Sequence, residues 1–268
     1  MKIYAISDSL GETGINLTQS AAAQFPNQKF EIERHPLIRT VSLLKGILKK
    51  AKREEAVVVY TFSNPELVNY TADFCTENKI SHWNPITPMI NILAEKTGSK
   101  PLEEPGLNHH MNTQYFDRIE SMEFAVQYDD GKDPAGFLQA DIVLLGVSRT
   151  SKTPLSLYLA NQGYKVANLP LVPRTKVPDQ IFKVDPKRII GLTTTPEVLN
   201  KFRRERMIAY GLDPDSNYSS MRQVEDELDN AMALYKKLGC LVINTAQKSI
   251  EETATLIIEA LGEDKHIN

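Results

Sequence analysis

Short apolar, β-branched runs alternate with helically spaced apolar positions through the first hundred residues. Lys2 to Ser7 reads as a strand, Glu12 to Ala23 as a helix, Lys29 to Arg34 as a strand and Val41 to Arg53 as a helix. Ala56 to Phe62 (strand), Pro65 to Glu77 (helix), Ile80 to Trp83 (strand) and Met89 to Glu95 (helix) continue the series. Such alternation predicts a parallel sheet covered on both faces, because each crossover helix must bury its apolar stripe against the strands it connects.

The pattern then breaks. The stretch KTGSKPLEEPGLNHHMN, Lys96 to Asn112, carries two prolines, two glycines and little apolar periodicity, which reads as a linker. A domain boundary near residue 100 follows, giving domains 1–100 and 101–268. Beyond it Tyr115, Ile119, Met122 and Val126 recur at helical spacing, and the helix should stop at Asp129-Asp130-Gly131. A second alternation comes next. Ile142 to Leu145, Lys165 to Asn168, Ile189 to Leu192 and Leu241 to Asn244 read as strands; Thr153 to Asn161, Pro196 to Ala209, Met221 to Leu238 and Ser249 to Leu261 read as helices. The fold class is therefore α/β with two domains. No strict sequence period relates the halves, so they read as different domains rather than a duplication.

One junction in the second domain carries chemistry. VLLGVSRTSKTPLS, Val143 to Ser156, nearly spells the phosphate-binding pattern G-x-x-x-x-G-K-[ST], with Lys152 and Thr153 in register and Ser151 where a second glycine belongs. In such a loop, backbone N–H groups converge on phosphate at a helix N-terminus, the lysine adds a mobile cation, and the next hydroxyl ligates Mg²⁺. An apolar strand precedes the loop and an amphipathic helix through Leu155, Tyr158 and Leu159 follows it. A small serine fits a tight turn at modest steric cost, and Pro154 sits early enough to help the helix begin. The plainer alternative is that Ser148, Thr150, Ser151 and Thr153 merely cap a helix, but motif and context together favour nucleotide binding. Asp129 and Asp130 are the nearest carboxylates upstream, fit for holding a metal or taking a proton, or for a solvated turn.

Composition narrows the classes. The chain has 268 residues, 41% of them hydrophobic, and a formal net charge of -3. That balance offers no global field for nucleic acid or an anionic membrane. The opening apolar run, Ile3 to Ile6, is too short for a membrane span or a signal segment, so a cytoplasmic location is expected. Cys75 and Cys240 lack a Cys-x-x-Cys partner and read as core residues of a reducing compartment.

RIESMEFAVQYDDG, ADIVLLGVSRTSKTPLSLYLANQGYKVANLPLV and LVINTAQKSIEETA together resemble the pyruvate, phosphate dikinase regulatory proteins, a family of bifunctional kinases and phosphorylases. The similarity runs from ISDS at Ile6 to Ser9 through SIEETA at Ser249 to Ala254. It implies a serine/threonine protein kinase that uses ADP to phosphorylate an active-site threonine of the dikinase when a neighbouring histidine is phosphorylated. It also implies the reversal, in which inorganic phosphate lifts the phosphoryl group off and pyrophosphate leaves. A sister group acts on phosphoenolpyruvate synthase; TPLSLYLANQGYKVANLPLV is more similar to the dikinase-directed group. The resemblance makes the second domain P-loop kinase-like, and its nucleotide loop Gly146, Val147, Ser148, Arg149, Thr150, Ser151, Lys152 and Thr153. Lys152, Arg149 and a carboxylate become the catalytic candidates, Asp130 first and Asp129 second, with Thr153 toward Mg²⁺.

Other features have plainer alternatives. Arg203, Arg204 and Arg206 could close over phosphate as a lid or face solvent. The basic run at Lys49 to Arg53 suits a helix C-terminus better than a docking patch. His109-His110 lacks metal-ligand spacing. SDSLGETG, after the first strand, could bind an anion, touch a protein substrate or simply turn the chain. The first domain is the natural candidate for recognition or homodimerisation. Two rival functions stay open: a small-molecule P-loop kinase, which leaves the first hundred residues without a task, and a nucleotide sensor, which leaves the carboxylates without one.

Overall fold

A computed structural model describes residues 1–107, 113–173 and 175–262. His109-His110 and the end of the linker-like stretch lie outside them. The chain divides into two compact units, Met1–His110 and Met111–Asn268. No helix among the described residues is long and apolar enough to cross a membrane.

The first unit is built from β1 (Lys2–Ser7), α1 (Glu12–Ala22), β2 (Glu31–His35), α2 (Val41–Arg53), β3 (Val57–Thr61), α3 (Pro65–Glu77), β4 (His82–Trp83) and α4 (Ile86–Thr97). Its four strands are all parallel, in the order β2-β1-β3-β4. The second strand starts at Glu31 rather than Lys29 because the ladder begins at Lys2 opposite Glu31; before it, the Lys29 carbonyl accepts from the Met1 amino group at 3.1 Å. Tyr4, Ile6, Val58 and Tyr60 meet Leu44 and Leu48 of α2 in one core. Cys75 lies in that core, where burial pushes its thiol up to about 11 and leaves it inert. At the basic end of α2, Lys50 reaches Glu33 at 2.7 Å and Lys52 reaches Asn78 at 2.7 Å, so two of its cations are spent locally. In SDSLGETG, Asp8 accepts from the backbone N–H groups of Ser63 at 2.7 Å and Asn64 at 3.2 Å, tying the first turn to the start of α3.

The second unit runs α5 (Thr113–Gln127), a 3-10 turn (Asp129–Gly131), α6 (Gly136–Gln139), β5 (Ile142–Gly146), α7 (Lys152–Asn161) and β6 (Val166–Pro170). It continues with β7 (Ile189–Thr193), α8 (Pro196–Ala209), α9 (Met221–Leu238), β8 (Leu241–Asn244) and α10 (Ile250–Leu261). This sheet is also wholly parallel, ordered β6-β5-β7-β8. Strand β5 is buried throughout. Val143 and Leu145 enter the core that holds Leu199 of α8 and Val224 and Leu228 of α9, while Ile142 and Leu144 face Leu155 and Leu159 of α7 and Ile257 of α10. That two-sided burial is why the strand reads as a continuous apolar run. Helix α7 packs against both α5 and α10, burying one stripe through Lys152, Leu155, Ser156, Leu159 and Ala160 and leaving Pro154, Leu157 and Asn161 exposed.

Both units share one strand order although no sequence period relates them. It is the order of flavodoxin-type doubly wound sheets, in which ligands bind beyond the strand C-termini where the direction of winding reverses. In the second unit that point lies between β5 and β7, where the loop singled out in the sequence emerges.

Candidate active site

Gly146 ends β5 opposite Leu192 of β7 and Pro170 of β6. A Cβ there would stand 2.4 Å from Thr150 Oγ1 and 3.2 Å from the Leu192 carbonyl, so only glycine lets the loop fold back over the strand end. Two strand ends are pinned from below by Tyr235 of α9, whose hydroxyl donates to the carbonyls of Leu145 at 3.2 Å and Leu192 at 3.0 Å.

The loop then turns through alternating backbone hands. Arg149 has φ 77° and Ser151 φ 61°, while Thr150 between them keeps a negative φ. Alternation of this kind points successive N–H groups into one concavity, the geometry of an anion nest. Ser151 thus occupies the left-handed position for which glycine is the usual choice. A non-glycine residue there stores roughly 1–3 kcal/mol of strain, and strain of this size concentrates at ligand clamps. Helix α7 begins at the next residue, so its N-terminal dipole adds to the nest.

Lys152 is buried, and its Nζ donates to the Val147 carbonyl at 2.9 Å, sharing that acceptor with Thr150 Oγ1 at 2.9 Å. Burial lowers its pKa to about 8 against the pull of Asp130 and then Asp129, with Arg149 and Arg203 adding to the fall. A buried ammonium with one backbone acceptor and nearby carboxylates is poised to gain from an incoming dianion.

The carboxylates divide into two states. Asp129 accepts from Thr153 Oγ1 at 3.0 Å and from Asn168 Nδ2 at 2.6 Å. Asp130, exposed and held at φ 54°, receives only a backbone tether, its N–H donating to Asn168 Oδ1 at 3.2 Å. Its carboxylate has no hydrogen-bond partner among the described residues. Thr153 and Asp129 form a hydroxyl–carboxylate pair of hard oxygens, a fit for Mg²⁺, which is commonly held by one or two carboxylates and completed by phosphate oxygens. Among the described residues no cluster of three or more His, Cys, Asp or Glu could cage a metal without such help.

Asn168 was not among the sequence candidates. Fully buried on β6, it joins Asp129, the Asp130 backbone and Ser156 Oγ at 3.2 Å, and so fixes the carboxylate turn against the start of α7. Its signal was one amide inside the apolar run VANLP. Among the arginines, Arg203 departs from both readings. Arg203 is fully buried, with bonds to Glu227 at 2.6 and 3.3 Å and to the Tyr218 carbonyl at 3.1 Å. The Tyr218 ring lies over its guanidinium, and the Tyr218 hydroxyl meets Ser148 Oγ at 2.9 Å. This arginine is neither a solvated residue nor a mobile lid: it anchors the tyrosine that braces the loop. Arg204 pairs with Asp215, and Arg206 stacks on Tyr210.

The chain is similar to known proteins along nearly its whole length. The family model described as Kinase/pyrophosphorylase matches residues 3–258. A protein of Pediococcus pentosaceus is 62% identical over 261 residues, 97% of each chain. One from Ligilactobacillus salivarius is 63% identical over 262 residues, covering 98% of this chain and 97% of its own, and one from Latilactobacillus sakei is 54% identical over 264 residues, 98% and 94%. All three carry the name pyruvate, phosphate dikinase regulatory protein.

Proposed function

Because the chain belongs to the kinase/pyrophosphorylase family, we propose that it phosphorylates an active-site threonine of pyruvate, phosphate dikinase with ADP and removes the phosphoryl group by phosphorolysis. The observation that carries this is the meeting of three groups at one strand-to-helix junction: the nest with Lys152, the Asp129–Thr153 pair, and the unpartnered carboxylate of Asp130. The names of the relatives favour the dikinase over phosphoenolpyruvate synthase as the target. A small-molecule kinase or a sensor would not account for that shared name.

The nest, Lys152 and Arg149 hold the ADP phosphates, and Asp130 takes the proton of the attacking threonine hydroxyl. The new bond joins the threonine oxygen to the β-phosphorus, and the bond to the bridging oxygen breaks, releasing AMP. Asp129 and Thr153 would hold a Mg²⁺ ion, which would supply neutralising charge to the phosphate oxygens. In the opposite sense an oxygen of inorganic phosphate attacks phosphothreonine, pyrophosphate forms, and Asp130 returns a proton to the threonine oxygen. Both directions leave the same Lys152 facing transferring charge, which electrostatic stabilisation makes the largest contribution of the site. We place the enzyme in the cytoplasm, where its two free cysteines fit.

Incubating the protein with β-labelled ADP and dikinase carrying phosphohistidine tests this reading. Label on a dikinase threonine is expected; no transfer with any nucleotide would leave only a sensor.

A further inference from the structure

A cavity of about 420 Å³ in the second unit lies between the segment that follows β6 and one face of α9. Leu171, Val172, Val177 and Pro178 line one wall; Ala231 and Leu234 line the other. Val172 is 54% exposed, and Leu171, Val177 and Leu234 are only partly buried against the core, so part of this apolar lining faces water. Pro170, Pro173 and Pro178 restrict the backbone of the first wall, so the cavity is shaped before anything fills it.

Two contacts place the cavity beside the reacting groups. Leu169, which lines it, also packs against Gly131, where a Cβ would stand 2.6 Å from Leu169 Cδ1, and Gly131 directly follows Asp130. Leu171 N donates at 2.9 Å to the carbonyl of Gly146, the first residue of the nest loop. In an in-line transfer the acceptor and leaving oxygens lie on opposite sides of the phosphorus, and the base must reach the acceptor. A cavity bordering the turn that carries Asp130 is thus on the acceptor's side of the reaction.

The lining also suits a protein better than a nucleoside. A small-molecule pocket orients its ligand through a few polar groups, whereas the charged and amide side chains here already have partners. Glu227 is bonded to Arg203 at 2.6 and 3.3 Å, Lys176 pairs with Asp179 at 3.0 Å, and Asn230 Nδ2 donates to the Asp226 carbonyl at 2.7 Å. What they leave open is aliphatic surface. We infer that this cavity docks the stretch of the protein substrate next to its acceptor threonine, through an apolar side chain seated between the segment after β6 and α9. The inference rests on the proposed transfer reaction. It gives the second unit a share in recognising the protein, a task expected of the first domain.

The test uses Val172→Asp, which puts a charge on the apolar wall, and Asn230→Trp, which fills the cavity from α9. Both positions are exposed, so both variants should melt close to the parent. Each should raise the KM for dikinase about tenfold or more, the worth of burying one apolar side chain. The rise should appear in phosphorylation and in phosphorolysis alike, because both directions dock the same protein. The KM for ADP, the KM for inorganic phosphate and kcat at saturating dikinase should stay within about twofold. Val172→Ile, which keeps the wall apolar, should behave as the parent. An unchanged KM for dikinase in both Val172→Asp and Asn230→Trp overturns the docking. A KM for ADP that rises in step overturns it too, since the cavity would then be a nucleoside site. Absence of transfer by the parent protein would instead overturn the reaction on which the docking rests.

Discussion

Lys152 sets a pH dependence of definite sign. Burial holds its native pKa near 8, below the ordinary 10.5, so the native state disfavours the ammonium relative to the unfolded chain. Stability should therefore rise as pH climbs from about 8 toward 10.5, as the unfolded chain loses its advantage of carrying the proton. Phosphate affinity should move the other way: titration calorimetry should show ADP binding weakening by up to about tenfold per pH unit above 8, with proton uptake on binding. Ser151→Gly relieves a left-handed residue, and a gain of about 1 kcal/mol should appear as a melting point a few degrees higher with ADP affinity kept. A large loss of affinity instead would identify the Ser151 hydroxyl as a ligand. Asp130→Asn should leave ADP binding within about threefold and suppress transfer by about a hundredfold or more; loss of binding in calorimetry would make Asp130 a binding or folding element. At this scale the lysine and threonine were legible because a motif fixes their spacing, whereas Asp129 and Asp130 were legible only as the nearest carboxylates upstream. Asn168 was not, since a buried amide matters through partners 12, 38 and 39 residues away.

The elements around the loop are held by long-range polar contacts. Arg203 of α8 and Glu227 of α9 form a fully enclosed pair, 0% and 8% exposed, that fixes Tyr218 and through it Ser148. Arg203→Met strands a buried carboxylate and should cost about 3–5 kcal/mol in chemical denaturation, whereas the double variant Arg203→Met/Glu227→Met should recover much of that loss. Near-equal stability of the single and double variants would contradict the pair's enclosure. The periodicities of 3.6 and 2 located the strands and most helices, because one-sided burial leaves that imprint. They did not disclose the strand order, which depends on how crossovers wind, nor the buried state of Arg203, because its charge imitates a solvated face. Helix α7 is amphipathic as read, with Leu155 and Leu159 buried and Leu157 exposed; which helices, α5 and α10, flank it is a fact no local pattern carries.

Across the whole molecule two parallel sheets of the same order are joined in one chain, and the candidate site lies at the reversal point of the second. The resemblance that runs along nearly the entire sequence supplied the family, and the match over residues 3–258 bears it out. The motif supplied the loop. Neither could supply the alternating backbone hands of Arg149 to Ser151, or the division between a tied Asp129 and a free Asp130. The central claim is that one phosphate cradle, centred on Lys152, serves transfer from ADP and removal by inorganic phosphate alike. The most direct measurement assays Lys152→Ala in both directions against the same dikinase, after circular dichroism has confirmed its fold. The account predicts that both rates fall together by about two orders of magnitude or more; full phosphorolysis alongside lost kinase activity would contradict it.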